Sequence, residues 1–70
     1  MKKISETYRA EWTGGAWDVY ELNAQKDAYV FTMRLFGTLN AKSRAATILT
    51  AIENRKRYEY ESELARQYFR

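Results

Sequence analysis

The chain has no cysteine, no histidine and no proline, and only three glycines in 70 residues. Each absence closes a class of function. Without Cys there is no disulfide scaffold of the kind that staples small secreted domains. Without Cys and His, the common zinc sites and the common nucleophile–base pairs have no residues to build from. Gly14-Gly15 is an isolated pair and not a phosphate-cradling loop. No apolar run approaches the roughly 20 residues of a membrane-spanning helix. The basic start Met1-Lys2-Lys3 is not followed by the apolar stretch of a secretory signal. A soluble cytoplasmic protein is expected, with no membrane partner, no cofactor, no metal and no catalytic residue.

What the chain does have is aromatic side chains: six Tyr, three Phe and two Trp, spread along its whole length. Tyr, Trp and Arg dominate protein contact surfaces. A 70-residue domain gains only a few kcal/mol from its core, and small domains commonly add a disulfide, a metal or a second subunit. Two of those three routes are closed here, which leaves efficient aromatic packing or self-association. The net charge of +3 lies entirely in residues 41–70, which hold seven basic and four acidic side chains, whereas residues 1–40 hold five of each.

Residues 5–13 alternate, with Tyr8, Ala10 and Trp12 on one face, which is strand periodicity. Gly14-Gly15 supplies the positive φ of a two-residue hairpin turn, and residues 16–22 form the returning strand. A tight turn sets Trp12 against Trp17 and Ala10 against Val19. It also sets Glu11 against Asp18, an unfavourable pair that would favour a bulge or a longer turn. After the polar connection Asn23–Asp27, residues 28–36 read as a third strand. Its alternation places Tyr29, Phe31, Met33 and Leu35 on one side and Ala28, Val30, Thr32, Arg34 and Phe36 on the other. Apolar groups on both faces suggest a central strand or one covered on both sides.

Asn40 is a suitable N-cap. From there Ala41, Ala45, Ile48, Leu49 and Ile52 recur at helical spacing, and no Gly or Pro follows. The expected fold is α+β: a three-stranded antiparallel sheet followed by one long C-terminal helix, forming a single domain over residues 1–70. A helix of about 30 residues spans about 45 Å and outruns a nine-residue strand of about 30 Å, so residues 54–70 are expected to protrude. Tyr60, Leu64 and Tyr68 lie on one side of that extension, and Tyr58, Ala65 and Phe69 on roughly the opposite side.

Three groups of residues carry the candidate functions. Glu59, Glu61 and Glu63 fail as a metal site, because only Glu59 and Glu63 share a helical face and the arginines one turn earlier suit them as partners. The basic group Lys42, Arg44, Arg55, Lys56 and Arg57, followed by Tyr58 and Tyr60, suits phosphate contact and base stacking. Three consecutive cations nevertheless spread around a helix, and acids follow directly. The third group is the apolar surface left over once the helix covers one face of the sheet. It comprises Tyr58, Tyr60, Leu64, Tyr68 and Phe69 on the helix, with whichever sheet face the helix leaves open: either Tyr20, Val30, Arg34 and Phe36 or the Trp12/Trp17 set. The edge strands add a further place for a partner strand.

In length, aromatic content and lack of cofactor residues, the chain resembles small phage or mobile-element proteins that bind and block a host macromolecule. The resemblance is one of composition and rests on no motif. The reading is therefore a non-enzymatic protein-binding module, an inhibitor or regulator, that self-associates as a dimer through its C-terminal helix. The alternatives are a small nucleic-acid-binding regulator and a structural subunit of a larger assembly.

Overall fold

The alternation of Tyr8, Ala10 and Trp12 builds a hairpin in the register expected from the Gly-Gly turn. In a computed structural model that describes residues 1–37 and 39–68, Trp12 pairs with Trp17, Ala10 with Val19 and Glu11 with Asp18. The Thr13 amide donates to the Ala16 carbonyl at 2.9 Å, closing the turn, and Gly14 takes the φ of 91° that a side chain would strain.

The sheet has four strands in chain order: β1 (Lys2–Lys3), β2 (Tyr8–Trp12), β3 (Trp17–Asn23) and β4 (Ala28–Leu35), all antiparallel to their neighbours. The expectation of three strands missed β1. Two consecutive lysines carry no hydrophobic pattern, and only tertiary pairing with Arg9 and Ala10 makes them a strand. Ser5 turns the chain between β1 and β2, its hydroxyl accepting from the amides of Thr7 and Tyr8. Between β3 and β4, the Asn23 side chain accepts from the amides of Gln25 and Lys26, and Asp27 adopts a left-handed φ of 48°.

The like-charged Glu11–Asp18 pair did not shift the register, because β4 supplies a counter-charge. The irregularity falls instead between β3 and β4. Val19 pairs with Met33 but Tyr20 pairs with Phe31, so Thr32 is an extra residue that bulges out of the ladder. Below the bulge the alternation of β4 is reversed. Met33 and Leu35 face the core as expected, but Tyr29 and Phe31 turn to the opposite face and Val30 turns to the helix side. This corrects the assignment of Tyr29 and Phe31 to the face of Met33, and of Val30 to the face of Arg34. It also corrects the reading of this strand as central or covered on both sides, since β4 ends the sheet and the bulge leaves Val30 and Phe31 exposed on opposite faces.

The helix α1 (Ala45–Tyr68) is continuous through Asn54. It begins four residues later than the Asn40 cap predicted. Asn40 instead closes a turn before the helix, its side chain accepting from the Lys42 amide while its own amide donates to the Ser43 hydroxyl. The Arg44 carbonyl accepts the first helical bond, from the Ile48 amide. Ile48 and Ile52 are fully buried and share one core with Ala10, Val19, Met33 and Leu35. Trp17 seals one end of that core, its indole N–H donating to the Asn40 carbonyl at 3.0 Å. No later residue of α1 within the described chain is buried. The 16 helical residues after Ile52, about 24 Å of helix at 1.5 Å per residue, therefore extend without burying a side chain.

Candidate functional site

Two surfaces remain after α1 has covered one side of the sheet. The first is the opposite sheet face, on which successive residues of β3 at spacing two (Asp18, Tyr20 and Leu22) point together. Each pairs with a β4 residue: Arg34, Phe31 and Tyr29 respectively. Tyr20 and Phe31 meet edge to face with ring centroids 5.9 Å apart. The Arg9 guanidinium lies 4.5 Å from the centroid of Tyr29, and the Tyr29 hydroxyl donates to the Glu6 carbonyl at 3.3 Å. Arg34 holds Asp18 through two bonds, Nε to Oδ1 at 2.6 Å and Nη2 to Oδ2 at 3.3 Å. That pairing raises the Arg34 pKa further above its ordinary value. The result is an aromatic strip flanked by arginines, with Phe31 more than half exposed.

The sequence alternation groups Tyr20 with Arg34 on one face without settling which face the helix leaves open, and it does not bring Phe31, Tyr29 and Arg9 to them. The bulge at Thr32 brought the two aromatics here, and nothing in the apolar alternation of residues 28–36 announces it. Phe36 is not part of the strip. It follows the last residue of β4 and, with Leu35, Leu39, Thr47, Thr50 and Ala51, lines an open groove of about 470 Å³ against the start of α1.

The second surface is the extension of α1. Tyr58, Tyr60 and Tyr68 are all about two-thirds exposed or more, and Leu64 is half-buried. Phe69 lies outside the described residues. The stripe that carries Ile48 and Ile52 continues down the helix as Arg55, Glu59, Glu63 and Arg66, by the 3.6-residue period. Arg55 donates to Glu59 at 3.1 Å and Arg66 lies 4.0 Å from Glu63. This switch from isoleucine to ion pairs is the physical reason the helix stops burying side chains after Ile52.

The last link between helix and sheet is Lys56, whose Nζ donates to Glu21 Oε1 at 2.6 Å and lies 4.9 Å from the Tyr8 ring centroid. The hydrogen bond to Lys56, helped by one to Tyr8, lowers the Glu21 pKa, and the same bond raises that of Lys56. Lys56 and Arg55 thus both face carboxylates. Lys42 and Arg44 precede the helix and Arg57 lies more than three turns along it, about 20 Å from Arg44 at 1.5 Å per residue. The five basic candidates do not converge.

Among the described residues no helix is long and apolar enough to cross a membrane, and no three His, Cys, Asp or Glu side chains gather as a metal site. Set against protein-family models, curated proteins and solved structures, the chain matches none of them.

Proposed function

We propose that this chain is a small non-enzymatic module that binds another protein, acting as an inhibitor or regulator of its partner, with the extension of α1 as the main contact surface. One observation carries the reading: three tyrosines and a leucine sit on a helix that has left its own sheet and buries no side chain there. Tyr supplies large contact area at low entropic cost and a polar handle at its tip. The flanking charges of the extension are balanced and largely paired, which suits a protein groove of mixed polarity better than a polyanion.

The nucleic-acid reading draws little support, because two of its five cations are tied to carboxylates and the other three are dispersed. Affinity purification with the wild type and with the Tyr60→Ala/Tyr68→Ala double variant tests the proposal. Proteins recovered by the wild type, lost with the variant, and retained through nuclease treatment and high salt support it. Equal recovery by both baits, or loss on nuclease treatment, refutes it.

A further inference from the structure

β4 is the last strand of the sheet, with β3 on one side and, among the described residues, no strand on the other. The ladder shows which of its backbone groups point outward. Thr13 N bonds to Ala16 O, and Leu22 N to Thr7 O. Hydrogen-bonded pairs alternate along an antiparallel ladder, so the even-numbered residues of β3 bond to β2 and the odd-numbered ones to β4. Glu21 pairs with Val30 and Asn23 with Ala28, which turns the backbone groups of Tyr29 and Phe31 to the open edge. That edge is a free row of donors and acceptors.

Side chains on the same stretch define what fits there. Val30, on the helix side, is 41% exposed, and Phe31, on the other face, is 54% exposed. A layer laid over either face covers one of the two and leaves the other in water. A strand alongside covers both, since cross-strand neighbours lie on both faces of a sheet.

The geometry points to a second copy of this chain as that strand: two β4 edges pair antiparallel about a two-fold axis at Val30, joining the two sheets. In this register the outward backbone groups of Tyr29 bond to those of the second copy's Phe31, and the reverse, while Val30 faces its own symmetry mate. Ala28–Thr32 carries no charge, so the stretch faces itself without repulsion, and the one charge on β4, Arg34, is held by Asp18. The pairing repeats a Tyr29–Phe31 aromatic contact on each side of the axis, a favourable cross-strand combination.

The far edge of the sheet explains why assembly stops at two. β1 has only two residues and both are lysines, and short, charged strands are the devices that block edge pairing. β4 of one copy therefore has no open edge on a third, and the isologous contact closes. The bulge at Thr32 confines the pairing to the stretch before it. Self-association thus belongs to β4 and not to α1, where the sequence places it. The α1 extension sets Tyr58 on one flank and the short row Tyr60, Leu64 and Tyr68 on the other with an ionic stripe between them, and that row is shorter than the sustained heptads of a helix-pairing seam. This inference is independent of the partner-binding role of α1.

Sedimentation of the purified full chain at micromolar concentration tests it, with V30K and Tyr60→Ala/Tyr68→Ala beside the wild type. The wild type and the tyrosine variant are expected at twice 8.3 kDa. V30K, which sets like charges on the axis at an already exposed position, is expected at the single mass with an unchanged circular dichroism spectrum. Amide exchange at Tyr29 and Phe31 slows as the wild-type concentration rises. A wild type at 8.3 kDa at all accessible concentrations overturns the proposal. So does a V30K that stays dimeric, a tyrosine variant that dissociates, or protection of Tyr29 and Phe31 that appears only when another protein is added.

Discussion

Arg34 on β4 holds Asp18 on β3 by two hydrogen bonds, and Asp18 stands directly opposite Glu11 on β2. The hairpin register that sets two tryptophans opposite each other also sets two carboxylates opposite each other. One guanidinium from the third strand of that row makes the arrangement tolerable. Asp18 is buried with that guanidinium over it. Removing one member of such a pair leaves the other desolvated and unpaired. Arg34→Ala is therefore expected to lower the melting temperature, and adding Asp18→Asn to it is expected to recover part of the loss. If the two single variants and the double variant show strictly additive changes, Arg34 and Asp18 are not coupled.

Trp17 is expected to be far more sensitive than Trp12. Its side chain is buried and its indole N–H is used by Asn40, whereas Trp12 is only partly buried beside it, at 5.5 Å between ring centroids. Trp17→Ala removes a buried aromatic worth about 3–5 kcal/mol, enough to unfold a domain of this size. Trp17→Phe keeps most of the apolar volume and loses the hydrogen bond, worth about 1 kcal/mol. Circular dichroism melts of the three variants order them; Trp12→Ala unfolding as completely as Trp17→Ala would contradict the assignment.

The Lys56–Glu21 pair predicts a pH dependence with a definite sign. Glu21 has a lowered pKa in the folded state, so its contribution is present above the ordinary Glu value of about 4.3 and is lost as pH falls through the lower folded value. Lys56 has a raised pKa, so its contribution is present below the ordinary Lys value of about 10.4 and is lost as pH rises through the higher folded value. Both groups are more than a third exposed, which limits the pair to about 1 kcal/mol or less. The gap in melting temperature between the wild type and Glu21→Gln should be widest near neutral pH and close in strong acid. A gap that persists in strong acid points to a cause other than this ion pair.

Truncation after Arg57 is expected to leave a folded domain. The cut retains Ile48, Ile52 and the Lys56–Glu21 contact and removes only residues that bury no side chain among those described. The melting temperature should fall slightly, while partner capture is lost. A truncated chain without secondary structure would mean that the extension supports the core after all.

Local pattern was enough for much of this fold. Alternation from Tyr8 to Trp12, the positive φ available to Gly14 and the 3.6-residue recurrence of Ala45, Ile48 and Ile52 are short-range features, so the hairpin register, the third strand and the helix were legible from residues alone. The open face was half legible: Tyr20 and Arg34 grouped on one sheet face, but local pattern left undecided whether the helix covers that face or the Trp12/Trp17 face. Three things were beyond the reach of local pattern. Lys2 and Lys3 become a strand only because β2 offers them an edge. Asn40 closes a turn ahead of the helix and does not cap it, and Trp17, 23 positions away in sequence, bonds its carbonyl there. The bulge at Thr32 sends Phe31 and Tyr29 away from the core face that their alternation with Met33 implies. At Lys2–Lys3 and at Thr32 the pairing of strands outweighs local pattern, and at Thr32 the side-chain period of 2 lets one unpaired residue exchange the faces of everything beyond it.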